Sequence, residues 1–179
     1  MPKRDIIVVG ASSGGLEALR VLVSGLPVDF PASVFIVWHL SPQSPNLLPG
    51  LLDPHTPLKV SSAQDNEPIE PGRIYVARPD RHLLVSLGRV CVTNGPQENR
   101  FRPAVDTLFR SAACTYGPRV IGVVLTGQLD DGTAGLWAIK DRGGLSIIQS
   151  PLDAAFPSMP ATARQYVAID YELPLSAIA

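Results

Sequence analysis

The segment Gly10-Ala11-Ser12-Ser13-Gly14-Gly15 follows a run of apolar residues at 6–9. Gly10, Ser12 and Gly14 fit Gly-x-Ser-x-Gly, the spacing of a nucleophile elbow. There the glycines permit a sharp strand-to-helix turn that lifts a hydroxyl above the sheet. A serine hydroxyl is a weak nucleophile at neutral pH and needs a neighbouring base. The base in turn needs an acid that fixes its tautomer and stabilises its charged form. His39 closes a second apolar run at 34–38, and Asp130 and Asp131 follow a third at 120–125. Ser12, His39 and an aspartate from that loop could share these roles. A helix starting just after Ser12 would also offer backbone N–H groups and a positive dipole end to a developing oxyanion.

Each residue has a plainer reading. The small-residue turn serves equally as a connector, or as the phosphate cradle of a dinucleotide-binding oxidoreductase. The cradle reading makes further demands. A ribose-selecting charged residue belongs at the end of the second strand, where Trp38-His39 stands. None of Tyr75, Tyr116, Tyr166 and Tyr171 has a lysine four residues on. Alone, His39 is a buried structural or capping histidine, and Asp131-Gly132 a turn and helix cap. His55 and His82, in Pro-flanked or charged surroundings, are expected at the surface. What favours catalysis is the joint placement of the three residues at strand ends.

The elements that must position them alternate. The runs at 6–9, 34–38, 120–125 and 145–148 are apolar throughout, as in parallel strands covered on both faces. Leu16, Leu19, Leu22, Val23 and Leu26 recur at helical spacing. Helices are also predicted over 103–113, 132–142 and 161–166, the last opened by Pro160. Between 58 and 93 the short runs 74–76, 83–85 and 90–92, punctuated by Pro71-Gly72 and Leu87-Gly88, predict an antiparallel hairpin or meander. The fold class is α/β: a doubly wound, mainly parallel sheet with an antiparallel hairpin, a Rossmann-like three-layer sandwich. Active sites of such sheets lie outside the C-terminal strand ends.

Composition narrows the class. The chain of 179 residues, 45% hydrophobic, suits one domain spanning 1–179. A net charge of −1 without a basic stripe argues against nucleic acid as a partner. Cys91 and Cys114 lack metal-type spacing, and no metal site is expected. No segment approaches the ~20 apolar residues of a membrane span. The expected location is the cytoplasm, with no membrane insertion.

Taken in order, the motifs resemble the catalytic domain of CheB-type protein-glutamate methylesterases over nearly the whole chain. The run at 7–15 is similar to the family's nucleophile turn, and Val37-Trp38-His39-Leu40-Ser41-Pro42 to its histidine strand end. Residues 71–77 with Asp80-Arg81-His82-Leu83 resemble its central hairpin. Arg100-Phe101-Arg102-Pro103-Ala104-Val105-Asp106 resembles its Arg-Pro-x-x-Asp helix start. Residues 122–127 with Asp131-Gly132 and Gly135 resemble its aspartate loop, and Met159-Pro160 a late helix start. The resemblance implies a Ser12–His39–Asp131 triad with backbone oxyanion donors near Ser13 and Gln128. It implies hydrolysis of γ-methyl esters on glutamates of chemoreceptor helices, or of another methylated signalling protein, with glutamine deamidation as a second activity. No cofactor is implied. A signalling scaffold of the same fold with weakened chemistry is the alternative.

Two departures qualify the resemblance. Gln128-Leu129-Asp130 stands where the family has Met-Gly-Asn, so a positive φ at Leu129 would be strained. Asp130 is the fallback acid. Strand one begins near Asp5, which leaves no room for an upstream receiver domain and predicts a stand-alone catalytic domain. Arg81, Arg100 and Arg102 are expected either as a positive rim for acidic receptor helices or as structural ion pairs.

Overall fold

The computed structural model of the protein describes residues 3–179. Strand β1 (Ile6–Ala11) is apolar on both sides because both sides are covered. Ile6 and Val8 enter one core, and Val9 and Ala11 enter another on the opposite face. The same alternation runs along β2 (Ser33–Trp38), with Phe35 and Val37 on the first face and Val34 and Ile36 on the second. Each fully buried side chain of this size contributes about 1.5–3 kcal/mol. A register slip of one residue would exchange the two cores entirely.

The first core lies under α3 (Val105–Tyr116), α4 (Thr133–Asp141), α5 (Ser158–Tyr166) and the antiparallel pair β5 (His82–Ser86) and β6 (Arg89–Thr93). The second lies under α1 (Gly15–Ser24) and the short α2 (Leu48–Leu52). The remaining strands are β3 (Lys59–Ser62), β4 (Arg73–Val76), β7 (Val120–Val124), β8 (Leu145–Gln149) and β9 (Tyr171–Leu173). Seven strands form one parallel sheet in the order β3-β4-β2-β1-β7-β8-β9. The chain winds outward from β1 in both directions. The crevice that accepts ligands in such sheets therefore opens at the ends of β1, β2 and β7.

One assignment is corrected. The run 74–76 belongs to no meander, because β4 pairs in parallel with β2 and β3, while β5 pairs antiparallel with β6. Ile74, Tyr75 and Val76 are all fully buried, the signature of an interior strand, which a short run shares with a hairpin arm. The edge strands β3 and β9 are too short and polar to show a pattern. Among the described residues no helix is long and apolar enough to cross a membrane.

Candidate active site

Ser12 and His39 are neighbours by register. Ala11 pairs with Trp38, and His39 N–H donates to Ala11 C=O at 3.1 Å. The next residue on each strand is therefore about one interstrand spacing, ~4.8 Å, from the other. Continuing the alternation, both side chains fall on the face of α3, α4 and α5. Gly14 takes φ 73, a left-handed conformation that costs glycine little, and the chain turns there into α1. Trp38 Nε1–H donates to Ser12 C=O at 2.8 Å, and Ser12 N–H to Thr126 C=O at 3.0 Å. The serine backbone is thus tied to both neighbouring strand ends.

Asp131 arrives from the loop after β7. Its Oδ2 lies 2.6 Å from His39 Nε2, with the histidine side chain 3% and the aspartate side chain 0% exposed. An ionised carboxylate only accepts, so Nε2 carries a proton, and in the neutral imidazole Nδ1 keeps the lone pair. Nδ1 is buried and without a hydrogen-bond partner among the described residues. No hydrogen bond joins it to the Ser12 hydroxyl in this structure. Such contacts are often long in unliganded enzymes and tighten on substrate binding.

The acid is held by a helix start. Val105 N–H donates to Asp131 Oδ2 at 2.7 Å and Asp106 N–H to Oδ1 at 3.0 Å. Ala104, at the N-cap of α3, has no side chain able to cap it, so Asp131 does so from another loop. Asp106 returns the favour. Its Oδ1 accepts from Gly132 N–H at 3.0 Å and Gly135 N–H at 2.6 Å, capping α4, whose own N-cap is Gly132. A Cβ on Gly10 would collide with the Val105 methyl groups. The first glycine of the elbow therefore lets α3 approach β1 closely enough to present these N–H groups.

A small turn completes the shell. Glu98 and Phe101 bridge antiparallel through two hydrogen bonds, 3.0 and 2.8 Å. Asn99 and Arg100 between them take φ 50 and φ 72, as a two-residue I′ hairpin requires. Asn99 Nδ2 donates to Asp106 Oδ2 at 2.7 Å and to Asp131 Oδ1 at 2.9 Å. Phe101 lies flat against the His39 ring. Burial, and then the charge of Asp131, push the Asp106 carboxyl up from its ordinary range. Burial would do the same to Asp131, but the hydrogen bond and charge of His39 with the Val105 and Asn99 donors outweigh it. Asp131 thus titrates below the usual carboxylate range and stays ionised.

The N–H groups of Ser13 and Gln128 have no hydrogen-bond acceptor among the described residues, whereas Gly127 N–H is committed to Phe156 C=O at 2.9 Å. Ser13 and Gln128 thus keep free donors in the two turns that flank Ser12, as do Gly14 and Leu129. Leu129 does take a positive φ, 67. The loop is held there by Ser158 Oγ–H donating to Leu129 C=O at 3.0 Å and by Met159 N–H donating to Gly127 C=O at 3.0 Å. Asp130 is exposed and Asp131 buried, so Asp131 is the aspartate that the fold brings to His39.

The three arginines separate. Arg102 is no free rim cation. Its Nε and Nη2 donate to Asp80 Oδ1 at 2.9 and 2.6 Å, and its Nη1 to Gly95 C=O at 2.8 Å. Arg81 donates to Asp80 C=O and to Asn94 Oδ1. Arg100 is exposed at the tip of the turn and lines a cleft with Leu129, Asp130 and Tyr166. The expectation of a surface His82 is corrected. It is 3% exposed, its Nε2 is 2.8 Å from Pro96 C=O, and its Nδ1 accepts from Ala104 N–H at 3.2 Å. Asn99, Phe101 and Asp106 had no role assigned from the sequence. Only Asp106 carried a signal, as an acid in the first turn of a predicted helix.

Residues 7–179 match the family model described as CheB methylesterase. The chain belongs to the CheB methylesterase family. It is 36% identical over 176 residues to a putative protein-glutamate methylesterase/protein-glutamine glutaminase of Leptospira interrogans, covering 98% of this chain and 91% of that protein. It is 38% identical over 174 residues to protein-glutamate methylesterase/protein-glutamine glutaminase 2 of Anaeromyxobacter dehalogenans, covering 97% of this chain and 51% of that one. The crystal structure of the Thermotoga maritima CheB methylesterase catalytic domain superposes with a TM-score of 0.92 at 34% identity. The match covers 99% of this chain and 96% of that one. The CheB fold is thus the α/β fold expected from the sequence, and the family replaces the oxidoreductase alternative.

Proposed function

We propose that this CheB-family chain is a serine hydrolase that removes methyl esters from glutamate side chains of chemoreceptors. Deamidation of receptor glutamines is the second activity of the same site. The observation that carries the reading is the buried His39–Asp131 pair, whose histidine keeps Nδ1 unpartnered and follows the strand end adjoining that of Ser12. In this mechanism Nδ1 accepts the Ser12 Oγ proton as Oγ attacks the γ-carbonyl carbon. Asp131 keeps the Nε2–H tautomer in place and balances the imidazolium charge. The N–H groups of Ser13 and Gln128 receive the oxyanion. The tetrahedral species collapses, His39 returns the proton to the methoxy oxygen, and methanol leaves. Water then gives a proton to His39 and attacks the acyl-Ser12 ester. Collapse restores the serine hydroxyl and releases glutamate. From glutamine, ammonia leaves instead.

Receptor helices carrying the ester would approach over the cleft lined by Arg100, Leu129, Asp130 and Tyr166. Of the three arginines, Arg100 is the one suited to meet their acidic side chains. Such a substrate places the enzyme in the cytoplasm. The test is methanol release from methylated receptor by wild type and by Ser12→Ala. Loss of at least three orders of magnitude in the variant is expected. Equal release by both would refute the assignment.

A further inference from the structure

What covers the His39 ring is Phe101. The ring centroids are 3.5 Å apart and the planes are inclined by 5°. A centroid separation close to the contact thickness of two rings leaves little room for lateral offset. Neutral aromatic pairs avoid this direct overlap, because like quadrupoles face each other, and prefer offset or edge-to-face packing. A cation over the same ring face is attracted by its negative potential. The stack is therefore poor for a neutral imidazole and good for an imidazolium. Phe101 cannot slide to a better offset, because its turn is fixed at three points. Glu98 pairs with Arg110 of α3, Asn99 bonds both buried carboxylates, and the turn closes on itself through the 98–101 bridge.

We propose that Phe101 speeds the attack of Ser12 by stabilising His39 selectively in its protonated form. The inference rests on Ser12 and His39 being nucleophile and base. When the Oγ–H bond breaks and the Nδ1–H bond forms, the ring gains a positive charge between Asp131 at its edge and Phe101 on its face. Only the charged species gains from the ring face, so the interaction lowers the barrier instead of tightening substrate binding. Phe101 acts through His39 and is a positioning residue.

The test keeps the shape of residue 101 and changes its electrostatics. Phenylalanines carrying one, three and five ring fluorines are placed at position 101. Two rates are read: phosphonylation of Ser12 by a fluorophosphonate probe, which needs no receptor, and kcat for methanol release. Both are expected to fall progressively with fluorine number, by roughly 2- to 30-fold over the series, with KM unchanged. Phe101→Tyr should stay near wild type, and Phe101→Leu should fall with the pentafluoro ring. Flat rates across the series, with Ser12→Ala inactive in both assays, would overturn the role of Phe101 and leave the nucleophile assignment standing. A wild type that neither reacts with the probe nor releases methanol would overturn that assignment and this inference together.

Discussion

Replacing Asp131 by asparagine should damage catalysis and folding through the same atoms. The carboxylate accepts four donors, His39 Nε2–H and Val105 N–H on Oδ2, and Asp106 N–H and Asn99 Nδ2–H on Oδ1. An amide offers one oxygen and one NH2. If the NH2 takes the Oδ1 position, two donors lose their acceptor. If it takes the Oδ2 position, His39 can switch tautomer and accept from it, but Val105 N–H is orphaned and the ring proton moves to Nδ1. That proton occupies the lone pair that should receive the Ser12 proton. Each orphaned buried donor costs about 1–3 kcal/mol, so with the Ser12 hydroxyl accepting from Nδ1–H the smaller loss, about 1–3 kcal/mol, selects the inactive tautomer. Part of it is offset by relieving the repulsion between Asp131 and Asp106. Amide replacement of a triad acid lowers kcat by about 10⁴, and a similar loss is expected here. The pH dependence follows from the direction of the shift. Because Asp131 is held below the ordinary carboxylate range, its contribution is fully present above the unfolded value of about 3.9. It is lost as pH falls through the lower folded value. Urea denaturation from pH 3 to 8, with kcat for methanol release, checks both halves. A variant within about 0.5 kcal/mol of wild type and within tenfold in kcat would refute the account.

Four further substitutions probe the shell and its rim. Asn99→Leu removes the donor shared by Asp106 and Asp131; kcat for methanol release should fall about tenfold, the equivalent of one charge-assisted hydrogen bond of about 1.5 kcal/mol, with KM little changed. Leu129→Gly relieves a left-handed conformation worth about 1–2 kcal/mol and loosens the unfolded chain by about 0.4–1 kcal/mol; urea denaturation should show a net gain of about 0.5–1 kcal/mol. Arg102→Ala strips Asp80 of its partner and should lower stability by about 1.5–3 kcal/mol with KM unchanged, whereas Arg100→Glu should raise KM on methylated receptor and leave the melting temperature within a few degrees.

The reach of the sequence depended on how locally each feature is encoded. The elbow, β2 and β7 are contiguous apolar runs ending in small or polar residues, so strand, turn and strand end are legible without tertiary knowledge. The order of strands is not, because three apolar residues such as 74–76 fit a hairpin arm as well as an interior parallel strand. His82 follows Asp80-Arg81, which suggested a surface. Yet it opens β5 on the inward side, and its ring atoms find a carbonyl at Pro96 and an N–H at Ala104. Arg102 left open a choice between rim and ion pair, and its partner Asp80 lies 22 positions away. Asn99 gave no signal at all. Its part depends on a turn whose two central residues both adopt positive φ without being glycine, a conformation imposed by what the turn holds.

The exchange of carboxylates between α3 and α4 explains why the candidate acid sits where it does. Neither helix supplies a capping side chain of its own, since Ala104 and Gly132 occupy the N-cap positions. Each borrows a carboxylate from the other's entrance: Asp131 precedes α4 and caps α3, while Asp106 begins α3 and caps α4. Two helix N-termini with their positive dipole ends thus converge on two buried negative charges, and Asn99 bridges the pair. The like charges would repel if left alone, and the upward displacement of Asp106 reflects its burial first and this repulsion second. The arrangement gives the better-compensated site to Asp131, which alone also faces His39. It is the more acidic member of the pair. Orientation of His39 is in this way a consequence of α3 packing on α4 and on Gly10 of β1. The surroundings of the proposed nucleophile Ser12 are therefore built by residues far beyond its own turn.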